Sequence, residues 1–225
     1  MLVTAFVVTG CSDAASPADP ARLDMFDRNN VSFFEPAGYG ESALEPEHYE
    51  TVKDAAQHAS AVVIAEVADV RQGETTIGET PNDIVSRVAI DIRIVEVIKG
   101  ELEDDSPDTL TLQRLASGDS VEESIAYMKA HLPEGMSVWF LRNHSDYYEQ
   151  MKGEPLQTTP EHAYRLLSSQ GLFVQGQNSV ANPLVGADQG MADQARGNYT
   201  KLSDLVDFVR SVDGWTGVVP GRRFE

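Results

Sequence analysis

Val88-Ala89-Ile90-Asp91-Ile92-Arg93-Ile94 places a branched aliphatic residue at every second position, with a small or charged residue between each pair. Successive side chains of a strand point to opposite faces, so this spacing predicts an antiparallel strand with one buried side. Val88, Ile90, Ile92 and Ile94 are expected to face the core, and the strand is expected over 86–98. Upstream, the β-branched run Ala61-Val62-Val63-Ile64-Ala65-Glu66-Val67-Ala68-Asp69-Val70 predicts a strand over 61–70, joined to the first by a connector carrying Gly73, Gly78 and Pro81. Downstream, Lys99-Gly100 ends the strand, Glu101 to Asp108 reads as an acidic turn, and Thr109 to Leu115 reads as a third strand. Met136 to Arg142 is apolar enough for a fourth strand buried on both faces. Tyr164 to Ser168 and Leu172 to Gln175 suggest a strand pair about Gly171, with the last strand at 171–176.

Helices are expected over 47–59, 120–131 and 201–212. Pro46 suits a first helical turn, and Glu47 and Glu50 favour its positive end. Ser120-Val121-Glu122-Glu123 has the form of a capping box, and Pro133 and Gly135 stop the helix that follows. Thr200 is placed to cap a last helix in which Leu202, Leu205, Val206 and Val209 share one face. These elements predict a mainly β, α+β domain over 46–225: a five-stranded antiparallel barrel with N- and C-terminal helices. Asn143 to Tyr148 is expected to be a polar and aromatic loop, and the stretch before Asn198 a polar loop.

The chain opens with an apolar stretch from Leu2 to Val8, broken only by Thr4, and small residues then lead to Cys11. This order is that of a signal peptide ending at a cleavage site, and the stretch is too short to remain as a spanning helix. Val8-Thr9-Gly10-Cys11 resembles the lipobox of bacterial lipoproteins. The resemblance implies cleavage between Gly10 and Cys11 and a diacylglyceryl group on the Cys11 thiol. Residues 1–10 are then a signal peptide, and 11–45 a lipidated flexible tether in which Phe33-Phe34 and Tyr39 are the residues suited to docking. No Lys or Arg precedes the apolar stretch, which leaves room for a start upstream of Met1. The alternative is a free cysteine in an N-terminal tail.

Ala61 to Val67, Val95-Glu96-Val97-Ile98-Lys99-Gly100, Gly135 to Leu141 and Gly171-Leu172-Phe173-Val174 together resemble a five-stranded barrel of the OB type, similar to netrin-like and tissue-inhibitor-like modules. The resemblance covers about half of the chain and implies a fold, not an activity, because OB barrels host many unrelated functions. Cys11 is the only cysteine among 225 residues, so the disulfides of the animal relatives are ruled out. The inhibitor mechanism of that group is not carried over.

Composition narrows the partners. Hydrophobic residues make up 41% of the chain, enough for a packed core. Against 36 Asp and Glu there are 17 Lys and Arg, a net charge of −19 that disfavours nucleic acid and suits neutral or cationic partners. Among the five histidines there is no His-Glu-x-x-His or His-x-His pair, and there is no Gly-x-Ser-x-Gly elbow. His48 and His58 do not share a ligand face on the expected first helix. Gly186-Ala187-Asp188-Gln189-Gly190 lacks the Lys-Ser or Lys-Thr of a phosphate loop, and Pro107 interrupts the acidic run Glu101, Glu103, Asp104, Asp105 and Asp108 as a calcium loop. No catalytic residue, metal ligand or cofactor is assigned. The expectation is a lipoprotein held at the extracytoplasmic face of the cell membrane through acylated Cys11, binding an envelope protein or small molecule without catalysis. The alternative is an envelope hydrolase with dispersed residues.

Overall fold

A computed structural model of the chain describes residues 18–37, 47–77, 84–103, 106–116, 120–153, 158–185 and 190–215. Among them seven strands form one antiparallel sheet: β1 (Ala61–Ile77), β2 (Ile84–Gly100), β3 (Thr109–Leu115), β4 (Ser137–Asn143), β5 (Tyr164–Leu166), β6 (Leu172–Gln175) and β7 (Val180–Ala181). The hydrogen-bonded order is β3-β2-β1-β4-β6-β7, with β5 also paired to β4. Seven helices accompany the sheet: α1 (Pro20–Leu23), α2 (Asn29–Ser32), α3 (Val52–His58), α4 (Val121–Ala130), α5 (His144–Lys152), α6 (Met191–Asn198) and α7 (Leu202–Ser211). None is long and apolar enough to cross a membrane.

The domain is α+β, as expected, but the sheet has seven strands rather than five and is open. β5 and β6 lie on the same side of β4, Leu141 opposite Leu166 and Trp139 opposite Leu172. They act as one strand interrupted by the 3-10 turn Ser169–Gly171. That break leaves β5 three residues long, and among the described residues no ladder joins it to β3.

Alternation sorts the core into two layers. Ala61, Val63, Ala65 and Val67 of β1, Val88, Ile90 and Ile92 of β2, Leu110 and Leu112 of β3, and Trp139 and Leu141 of β4 enter one cluster. Ile94 packs against it from a partly buried position. Val62, Ile64, Val138 and Phe140 point the other way, onto α3, α6 and α7. β4 is therefore buried at every residue, as its apolar run predicts. Trp139 satisfies its indole by donating to Ser137 Oγ at 2.7 Å, so the ring is buried without an orphaned donor.

The N-terminal stretch departs from the tether expected over 11–45. Residues 18–37 pack on the domain: Leu23, Phe33 and Phe34 are buried, and Phe34 meets Trp139 edge-on at 5.8 Å. The backbone N–H of Ala18 donates to Glu96 Oε2 at 2.8 Å, and Arg22 pairs with Glu66. Asp24 also takes the role expected of Thr200. Its carboxylate accepts from the Ser203 N–H at 2.9 Å and the Ser203 hydroxyl at 2.8 Å, while Gln175 Oε1 accepts from the Leu202 N–H at 2.8 Å. The first turn of α7 is thus capped from distant segments, and Leu202, Leu205, Val206 and Val209 are all buried on its inner face.

The first expected helix is shorter than 47–59. It starts after Thr51, whose Oγ1 accepts from the Asp54 N–H at 3.0 Å. Ser120 caps α4 by accepting from the Glu123 N–H, but its hydroxyl donates to Glu122 rather than completing the box with Glu123.

Candidate functional site

A buried polar constellation lies where β4 ends. Arg142 directly follows the apolar run Val138 to Leu141 and is fully buried. A buried guanidinium is costly without an anion. Glu47, itself 6% exposed, supplies it: Arg142 reaches Glu47 Oε1 at 3.1 Å. Arg165, from β5, donates to the other carboxylate oxygen at 2.9 Å. Arg165 also donates to the carbonyls of Leu166 and Leu167, and its guanidinium stacks 4.4 Å over the Tyr147 ring.

Residues 47–49 lie outside the helix, held by this site. The Tyr49 N–H donates to Gln170 Oε1 at 2.8 Å, and Gln170 Nε2 returns a bond to the Tyr49 carbonyl. The same carbonyl accepts from the Met191 N–H at the start of α6. Gly190 permits that approach: a Cβ there would meet the Tyr49 carbonyl at 2.6 Å, and its φ is +44°. Arg142 also donates to Tyr49 Oη at 3.3 Å. Burial, then the Glu47 carboxylate, pushes the Tyr49 phenol up to about 12. It stays protonated at any physiological pH.

Asn143 and His144 continue the site. Asn143 Oδ1 accepts from the Ser145 and Asp146 N–H groups and so caps α5, replacing the loop expected over 143–148. Its Nδ2 donates to Glu103 Oε1 at 2.6 Å, and the Glu103 N–H donates to Tyr164 Oη at 2.8 Å. One member of the expected acidic turn is therefore a structural partner of this end of the sheet. His144 places its backbone N–H on the Ala163 carbonyl, and its buried Nδ1 has no hydrogen-bond partner. Burial, then the positive charge of Arg165, then His162, pulls its pKa down to about 4.

This gives a pH prediction with a defined sign. The unfolded imidazole gains its proton near 6.5, the folded one near 4. The stability His144 contributes is complete above pH 6.5 and is lost as the pH falls toward 4, by about 2–3 kcal/mol. Urea melts of the protein and of His144→Gln at pH 7.5 and pH 4.5 measure it. The variant should lose about 2 kcal/mol less between the two pH values; equal losses would remove His144 from the account.

The remaining histidines are dispersed. His58 Nδ1 meets the Asp54 carbonyl at 2.7 Å, His131 Nδ1 meets the Tyr127 carbonyl at 2.8 Å, and His48 lies 3.3 Å from Glu50. Among the described residues no group of three or more His, Cys, Asp or Glu side chains is arranged around a common point for a metal. The cluster at Glu47 has every strong charge engaged by another part of the chain. Its chemistry is that of a clamp joining residues 47–49, β4, β5 and α6. Gly10 and Cys11, Asp104 and Asp105, and the stretch 186–189 lie outside the described residues. Trp215 is half-exposed, its indole N–H donating to the Ala59 carbonyl at 2.9 Å.

A second feature lies at the far end of the β1–β2 hairpin. An open notch of about 320 Å³ is lined by Ile84, Val85, Ser86, Leu115, Ala116, Ser120 and Val121. No protein-family model matches the chain, and no curated protein or solved structure is significantly similar to it.

Proposed function

We propose that the chain is a lipoprotein anchored through acylated Cys11 on the extracytoplasmic side of a membrane, where its domain acts by binding rather than catalysis. The observation that carries this reading is Val8-Thr9-Gly10-Cys11, placed after an apolar stretch and seven residues before Ala18, the first described residue, which is buried on the domain. Two or more acyl chains on one residue make a stable anchor. Residues 12–17 then span at most about 25 Å at full extension. The domain is held close to the headgroups, nearer than a tether reaching residue 45 would hold it. Its −19 charge disfavours anionic lipid and nucleic acid and favours a basic partner.

The finer reading of the sheet is an OB-type barrel interrupted at β5. The β1–β2–β3 meander, the position of α4 between β3 and β4, and the return of β4 beside β1 support it. So does the entry of residues from β1 to β6 into one cluster. Neither this reading nor the clamp at Glu47 names a ligand.

Cell fractionation of the protein and of Cys11→Ser tests the anchor. The protein should fractionate with membranes and be extracted only by detergent, while Cys11→Ser should be released or remain unprocessed. A Cys11→Ser variant as firmly membrane-bound and as fully processed as the parent would defeat the proposal. Turnover of an ester, peptide or glycan, abolished by replacing one of the five histidines, would favour the hydrolase instead.

A further inference from the structure

Two large apolar side chains stay exposed beside the C-terminal end of α4. Phe26 is 48% exposed and Leu132 37%. Both belong to stretches described without a break, 18–37 and 120–153. Hydrogen bonds stitch their surroundings together: the Glu134 N–H donates to Asp27 Oδ2 at 3.2 Å, and Asn29 Nδ2 reaches the Leu132 carbonyl at 3.5 Å. Tyr127 and His131 stack at 4.1 Å on the adjoining turn, each half-buried. Amphipathic rings beside exposed aliphatic and aromatic side chains suit a boundary that is apolar on one side and wet on the other.

This corner is close to electrically neutral. Arg22, Arg28 and Lys129 stand against Asp27, Glu35 and Glu134. Arg22 reaches the Glu134 carbonyl, the Tyr127 hydroxyl donates to Glu35 at 2.7 Å, and Arg28 lies near enough for its charge to act on that hydroxyl. Beside them Arg22 and Arg93 share Glu66, and Lys129 pairs with Asp69 at 3.5 Å. Four cations therefore meet five carboxylates, on a chain that carries −19. The excess negative charge lies elsewhere on the molecule, so a lipid surface of negative potential repels the rest and leaves this corner facing it.

We propose that this corner rests on the lipid surface, with Phe26 and Leu132 entering the boundary between headgroups and acyl chains and Arg28 and Lys129 reaching along it to the headgroups. The inference rests on the anchor at Cys11 and deepens that reading by naming the face the domain turns to the membrane. The length of the chain supports this occupant. Residues 12–17 span at most about 25 Å. Phe26 follows Ala18 by eight residues, four of them in the single turn of α1, a reach of about 20 Å. Tethering over such a span gives an effective concentration on the order of millimolar. A contact too small to hold a free protein on a bilayer then suffices to dock an anchored one.

The test uses the intact lipoprotein reconstituted in phosphatidylcholine vesicles. Cys11 is the only cysteine, so once it is acylated an introduced cysteine is the only free thiol. Leu132→Cys and, as a control, Ile77→Cys are each labelled with an environment-sensitive fluorophore. Ile77 is exposed and lies eleven residues along β1 from Glu66, up to about 35 Å away. Lipid brominated on its acyl chains should quench the label at 132 at least about threefold more than the label at 77. Adding Phe26→Glu to the Leu132→Cys protein should remove at least about half of that quenching. Phe26 is half-exposed, so this variant should fold, and a domain merely confined near the bilayer by its tether would be unaffected by it. Equal quenching at the two positions, quenching unchanged by Phe26→Glu, or a label at 132 that cross-links two copies and escapes the brominated lipid would overturn the proposal. Flotation of the same vesicles separates the two readings. Protein that floats with the lipid while its label at 132 stays in water keeps the anchor and loses the docking face; protein that does not float loses both.

Discussion

Glu47→Ala is expected to destabilise the domain by about 3–5 kcal/mol, the usual cost of removing one member of a buried ion pair. The carboxylate is shared by Arg142, which has no exposed surface, and by Arg165. Its loss leaves Arg142 buried without that anion, and two protein groups cannot be replaced by water in a packed interior at little cost. The Tyr49 backbone beside it bonds Gln170 and the start of α6, so the region around Tyr49 should loosen first. Urea denaturation of the parent, Glu47→Ala and the double variant Glu47→Leu, Arg142→Met measures the effect. Apolar replacement of both partners removes the orphaned charge, so the double variant should recover much of the loss. A Glu47→Ala variant within about 1 kcal/mol of the parent would show that the clamp is dispensable.

Phe34→Ala should cost about as much, roughly 3–5 kcal/mol, since large-to-small changes at a closed site add a cavity to the lost burial. Phe34 is 1% exposed and lies against Phe33 and Trp139 at ring distances of 4.7 and 5.8 Å. Its neighbour Phe33 is wholly buried. The measurement is chemical denaturation followed by Trp139 and Trp215 fluorescence. A loss below about 1 kcal/mol would return residues 18–37 to the status of a tether.

What the sequence disclosed follows from the range of the interactions involved. Val88, Ile90 and Ile92 alternate because one side of β2 is buried and the other is wet, and alternation is a local property. The all-apolar stretch of β4 is equally legible, because both its faces are covered. The one charged residue of that strand, Arg142, is explained by Glu47, 95 positions earlier, and no local rule connects them. The cap of α7 likewise comes from Asp24, 179 positions away, so Thr200 was the natural local choice. α5 was within reach: Asn143 at the cap, Asp146 in the first turn and Gly153 in the left-handed conformation at the end are helix signals. They are masked in the pattern because the helix has no sustained apolar stripe. β5 escaped a firm assignment because three residues cannot display a period.

The candidate site was less legible than the fold. Its members come from residues 47–49, β4, β5 and the turn at Glu103, and chemistry assembled from four segments leaves no spacing to find. His144 is one of five dispersed histidines until the fold brings Arg165 and His162 beside it. The notch is equally out of reach, since its lining comes from β2, the end of β3 and the start of α4. The N-terminal motif is the reverse case. It is read from four consecutive residues and owes nothing to the fold, so it is tested by chemistry rather than geometry.

The most direct test of the account is therefore the intact mass of the protein extracted from membranes by detergent. The account predicts a chain beginning at Cys11, heavier than the polypeptide by a diacylglyceryl group on sulfur, with or without a further acyl group on its amine. A chain that retains residues 1–10 and an unmodified Cys11 thiol would contradict it.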